Sequence, residues 1–121
     1  MKRLTFPAWR GDHYVGLAEI LGALGDHLAG ASWELRLNEV APGPEGAALE
    51  ALAARGRVDT AALIAASGSN GQVIDGELRA FGGESGEPFL VLRAVDSTDW
   101  DVESADESVH AAVRAAYLSA S

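Results

Sequence analysis

The chain contains no cysteine in its 121 residues, which excludes disulfides and thiol chemistry. It has no apolar run approaching the ~18 residues that a membrane-spanning helix needs. Lys2 and Arg3 stand near the start, but Pro7, Arg10 and Asp12 break up the next ten residues, so no apolar signal-peptide core is expected. These absences together predict a cytoplasmic protein. Basic residues are scarce: nine Lys and Arg stand against 18 Asp and Glu, a formal charge of −9. The imbalance lies mostly in the second half, where residues 61–121 carry three Arg against ten acids. Such a surface repels phosphate backbones, so no nucleic-acid partner and no membrane partner is expected. It would steer a basic protein partner toward the C-terminal half.

Chemical motifs are also missing. His13, His27 and His110 are scattered, and no His-x-Glu or His-x-x-x-His ligand spacing occurs. His13 and His27 on one helix would lie about 21 Å apart, too far to share a metal. His110 stands four residues after Asp106, which predicts a local helix pair. No Gly-x-Ser-x-Gly sits between a strand and a helix, so nothing suggests a nucleophile elbow. Gly68-Ser69-Asn70-Gly71 lacks the Gly-Lys-Ser/Thr ending of a phosphate loop. Neither a cofactor nor a dedicated metal site is expected. The separated carboxylates Glu45, Glu50, Asp75 and Glu77 read first as solvent-facing charges.

What is present has the length and apolar content of one α+β domain. Asp12 predicts the cap of a first helix reaching Leu28, with Tyr14, Leu17, Leu21, Leu24 and Leu28 on one face. The glycines along it allow close approach of a neighbour, so a monomer or a homodimer through this helix is expected. Trp33, Leu35 and Leu37 alternate with polar residues as a half-buried strand does. Pro44 opens a second helix, and Asp59 caps a third. A strand from Gln72 to Phe81 is interrupted at Asp75-Gly76, which reads as a bulge rather than a hairpin turn. A loop at residues 82–87 leads to a third strand, 89–95, whose near-continuous apolar run predicts a central position. Val109, Val113 and Tyr117 stripe a last helix over 105–118. The expected architecture is a small, mainly antiparallel three-stranded sheet packed with about four helices, in the order α-β-α-α-β-β-α.

The richest segment is residues 96–107, with six carboxylates, no basic residue and Trp100 in the middle. Ser104 and Glu107 match a capping box, and Asp106 and Glu107 suit the positive end of a helix. Asp96, Asp99, Asp101 and Glu103 remain. A calcium loop is excluded: counting from Asp99, Ser104 stands where glycine is needed and His110 where glutamate is needed. An extended Asp99–Glu103 segment would put its three acids on one side, with Trp100 and Val102 anchoring the other to the core.

Gln72-Val73-Ile74-Asp75-Gly76-Glu77, Val95-Asp96-Ser97-Thr98-Asp99-Trp100-Asp101-Val102 and Trp33-Glu34-Leu35-Arg36 together carry a resemblance. They resemble a family of small uncharacterised bacterial proteins, in which a Gln-Val-Ile-Asp-Gly-Glu segment precedes a Val-Asp-Ser-x-x-Trp-x-Val segment. The resemblance covers residues 30–118. It implies that Asp75, Gly76, Asp96 and Trp100 matter to the shared fold, and it supplies no catalytic residues. Thr98 and Asp99 occupy the variable pair, and the first helix here is longer and richer in glycine than the family's.

The function expected is therefore a small, acidic, non-enzymatic protein-interaction module. Its partner-binding residues are Asp96, Asp99, Asp101 and Glu103, and its partner is a basic protein, as for an immunity protein or a regulatory adaptor. The alternative is a small hydrolase or metal-dependent enzyme using the carboxylates Asp75, Asp96 and Asp99.

Overall fold

Leu4 and Phe6 alternate with Arg3, Thr5 and Pro7, and this opening segment is already a strand, β1 (Lys2–Pro7). The structure, a computed structural model, describes residues 2–68, 72–82 and 86–118. After β1 comes a hairpin of β2 (Trp9–Arg10) and β3 (His13–Tyr14). Next are α1 (Leu17–Leu24), continued by a 3₁₀ turn (Gly25–Leu28), and β4 (Ser32–Val40). Beyond them lie α2 (Pro44–Ala53), β5 (Val58–Asp59) and α3 (Thr60–Ser67). Then come β6 (Val73–Phe81), β7 (Leu90–Val95) and β8 (Asp99–Ser104). The last helix is α4 (Glu107–Val113), which runs into a π-helical turn (Arg114–Leu118).

The α+β class and four helices stand, but the sheet and the order differ from expectation. Six strands form one antiparallel sheet in the order β1-β8-β7-β6-β4-β5, in place of the three expected. The missed strands have identifiable causes. β1 carries Lys2, Arg3 and Pro7, the residues that blunt an exposed sheet edge, and they mask its short apolar alternation. β8 hides in the acidic stretch, which reads as a junction because its outward positions are all charged. β5 is only two residues long. The predicted first helix overreaches at its start. Gly11, at φ +64, opens the tight turn of the β2–β3 hairpin, so Asp12 lies in a turn and α1 begins at Leu17.

Other boundaries obey the local chemistry. Pro44 occupies the first turn of α2, and the Asp59 side chain accepts a hydrogen bond from the Ala62 amide at 2.7 Å to cap α3. Asp75 and Gly76 lie inside a continuous β6, so no hairpin turn forms there. The register shifts twice beside them: Asn38 is the extra residue on β4 between Leu37 and Glu39, and Ile74 is the extra residue on β6 between Val73 and Asp75. The predicted loop at 82–87 falls partly on residues 83–85, outside the described residues.

The sheet has two unlike faces, because side chains alternate along every strand. One face presents Trp33, Leu35, Leu78, Ala80, Leu90, Leu92, Trp100 and Val102 to the helices, and all eight are buried. The helices contribute Leu17, Ile20, Leu24, Leu49, Leu63, Val109 and Val113 to the same core. Two tryptophans fasten it. The Trp33 indole donates to Thr60 Oγ1 at 2.9 Å, and the Trp100 indole donates to the Val15 carbonyl at 2.9 Å. Among the described residues no helix covers the other face with buried contacts of this kind, and its strand positions are mostly charged.

Candidate functional site

The open face is a ladder of alternating charge. In register across the sheet, Arg36 lies opposite Glu77, Glu77 opposite Arg93, and Arg93 opposite Asp101. Arg79 Nε donates to Glu77 Oε2 at 2.6 Å, and Arg93 Nε donates to Glu77 Oε1 at 2.9 Å. Arg93 reaches on with Nη2 to Glu103 Oε1 at 3.1 Å. Arg57 lies 3.7 Å over the ring of Phe81, which is how that outward aromatic is buried.

Glu77 is the hub of this ladder. Partial burial alone would raise its pKa, but the hydrogen bonds and charges of Arg79 and Arg93 outweigh that and hold it below the ordinary carboxylate value. A carboxyl depressed in the folded state stabilises the fold above its unfolded pKa, and that contribution is lost as pH falls through the folded value. The variant Arg93→Met should therefore be less stable than wild type at neutral pH. The gap should narrow in acid, as read by urea unfolding at a series of pH values. A gap independent of pH would show that Arg93 acts through packing alone.

The four predicted partner-binding acids separate into two pairs. Asp101 accepts from Thr5 Oγ1 at 2.7 Å and lies 3.8 Å from Arg3, and Glu103 is held by Arg93. Asp99 meets only the Thr98 hydroxyl, at 3.4 Å, and Asp96 is exposed with no ion pair among the described residues. Asp96 and Ser97 form the β7–β8 turn, both at positive φ (49° and 59°). Short polar side chains tolerate that conformation, and paired positive φ suits the twist of a hairpin.

The turn is tied down on three sides. The Ser97 amide donates to the Ile74 carbonyl at 2.9 Å, and the Gln72 side chain donates to Ser97 Oγ at 2.8 Å. The Trp9 indole donates to the Ser97 carbonyl at 3.0 Å and remains 46% exposed. Val95, also exposed, lies between Asp99 and the end of β6 that carries Asp75. The result is an acidic corner with an aromatic and an aliphatic side chain at the surface. Sequence spacing could not show it, because Trp9 is 88 residues from Ser97.

Asp75 and Asp99 of the enzymatic alternative do not converge. Asp75 accepts from Asn38 Nδ2 at 2.8 Å and is separated from Asp99 by the width of β7, about 10 Å across two strand spacings. Among the described residues no three His, Asp or Glu side chains gather in a metal-holding group. Glu45 and Glu50 lie on α2, and Asp75 and Glu77 on β6.

The histidines also depart from expectation. His110 does not pair with the Asp106 side chain. It is fully buried, and its Nε2 lies 2.7 Å from the Ser104 carbonyl, so Nε2 carries the proton and donates. Asp106, not Ser104, caps α4, and hydrogen bonds from the Ser108 hydroxyl and amide lower its pKa. The Ser104 hydroxyl instead donates to the Phe89 carbonyl. His27 Nδ1 lies 3.2 Å from Ser108 Oγ, which itself donates to Asp106 Oδ1 at 2.6 Å. That order is wrong for a nucleophile. A catalytic serine gives its proton to the histidine, and the acid orients the histidine; here the acid holds the serine directly. His13 sits in the β2–β3 hairpin, 2.6 Å from Glu19.

No helix among the described residues is long and apolar enough to cross a membrane. Comparison of the chain with family models, curated proteins and solved structures finds no match.

Proposed function

We propose that this protein is a non-enzymatic interaction module that presents the β7–β8 corner of its open sheet face to a basic protein partner. The observation that carries the reading is the contrast along β8 and the turn before it. Asp101 and Glu103 are already engaged by Arg3, Thr5 and Arg93, whereas Asp96 and Asp99 form no ion pair among the described residues. Exposed Trp9 and Val95 stand at the same corner. A lysine or arginine there meets carboxylates and an indole face together, a pairing worth more once water is excluded. The net charge of −9 favours encounter with such a partner.

The roles of immunity protein and regulatory adaptor both fit this chemistry, and the reading places the protein in the cytoplasm. The resemblance to the small bacterial family belongs to the same proposal. Its support is that the two motif segments are fastened to each other through Gln72, Ile74 and Ser97.

The double variant Asp96→Lys, Asp99→Lys should weaken capture of a basic partner by about tenfold or more at low ionic strength. The variant Asp101→Asn should change it much less. Equal binding by wild type and the double variant would overturn the reading.

A further inference from the structure

Strand β4 lacks a neighbour along most of one side. β6 pairs along its length, whereas β5 reaches only Ser32 and Trp33. The link that brings the chain from α2 to β5 contains Gly56, at φ +87. From Glu34 to Leu37 the outer side of β4 therefore faces no strand among the described residues. Alternate N–H and C=O groups there bond no other backbone among the described residues, which leaves them to water. A cleft of about 380 Å³ runs beside this edge, between Leu35, Leu37, Glu39 and Val40 of β4 and Glu50 and Ala53 of α2.

We propose that this cleft binds an extended basic segment of another protein, which adds to β4 as an antiparallel strand in line with β5. Three features select that occupant. The free edge of a strand is satisfied best by main-chain groups at strand spacing, as in other strand-addition interfaces. The floor is apolar, since Leu37, Val40 and Ala53 are partly buried and pack on the core, which suits aliphatic side chains at alternate positions. The rim is acidic: Glu39 and Glu50 are exposed, no basic residue lines the cleft, and neither acid forms an ion pair among the described residues. Lysine or arginine at the intervening positions complements them.

The register shift beside Asn38 interrupts the regular edge. Pairing is therefore confined to the stretch from Glu34 to Leu37, which limits the bound segment to a few residues. Leu35 of the cleft lining is buried in the core. The site shares no residue with the Asp96–Asp99 corner.

The test is titration with a short acetylated, amidated peptide of alternating lysine and valine. Two versions of it, N-methylated at alternate residues in each of the two registers, and a glutamate–valine peptide serve as controls. The lysine peptide should bind and slow amide exchange between Glu34 and Leu37. N-methylation in one register only should weaken it by about tenfold or more, because main-chain hydrogen bonds are lost. Glu50→Lys should weaken it comparably, and the glutamate peptide should not bind. Asp96→Lys and Asp99→Lys should leave this binding unchanged, which separates its failure from failure of the corner proposal. No binding at millimolar peptide, equal binding of both N-methylated forms, or protection elsewhere would each overturn the inference. So would a concentration-dependent dimer that protects the same amides without peptide, since the edge would then belong to a second copy.

Discussion

Replacing Trp100 with alanine is expected to destabilise the fold by about 4 kcal/mol, a large share of what a domain this size possesses. Trp100 is fully buried on β8, with Ala94 opposite it on β7 and Phe6 opposite it on β1. Its indole crosses the core to the Val15 carbonyl, in the link between the small hairpin and α1. Truncation therefore removes a large apolar surface, leaves a cavity and strips a buried carbonyl of its donor. Trp100→Phe separates these effects: it keeps most of the volume and loses the hydrogen bond, so about 1–2 kcal/mol is expected. Urea unfolding monitored by far-UV circular dichroism reads both. A Trp100→Ala variant within about 1 kcal/mol of wild type would contradict the placement of β8 between β1 and β7.

Gly46→Ala and Gly22→Ala should move stability in opposite directions. Both glycines lie inside helices, where alanine is intrinsically better by about 1 kcal/mol. At Gly22 on α1 nothing lies within 4 Å of an added Cβ, so that gain of up to about 1 kcal/mol should appear. At Gly46 an added Cβ would run into the backbone carbonyl oxygen of Ala41, with Val40 close by. The helix or the end of β4 must shift, and overpacking of this kind costs about 1–3 kcal/mol beyond the propensity gain. Thermal unfolding should show a lower midpoint for Gly46→Ala and an equal or higher one for Gly22→Ala. Equal gains at both sites would mean that α2 does not press on β4 as described, and the peptide cleft beside it would lose its wall.

The contrast between these glycines shows where sequence reading stops. Both are glycines in apolar helical surroundings, and only the position of Ala41 tells them apart. The acidic stretch makes the same point. Its alternation correctly puts Trp100 and Val102 inward and the acids outward, because period-two patterning is a local property of an extended chain. Whether those acids are free or engaged depends on Arg3, Thr5 and Arg93, brought alongside by strand pairing. His110 has an acid one helical turn before it, yet its ring turns inward to the Ser104 carbonyl. Burial decided that contact, and spacing along a helix cannot report burial.

The sequence by itself determined the local grammar: the Pro44 and Asp59 helix starts, the outward acids of 99–103, and the absence of thiol chemistry. These depend on backbone conformation and neighbours a few residues away. Tertiary structure alone decided that β1 and β8 join the sheet, that arginines disarm Asp101 and Glu103, and that Trp9 reaches the Asp96–Ser97 turn. It also left the edge of β4 open. Each of these rests on pairing between segments far apart in the chain, whose free energy comes from burying one sheet face and satisfying backbone groups across strands, and no local pattern encodes which strand lies next to which.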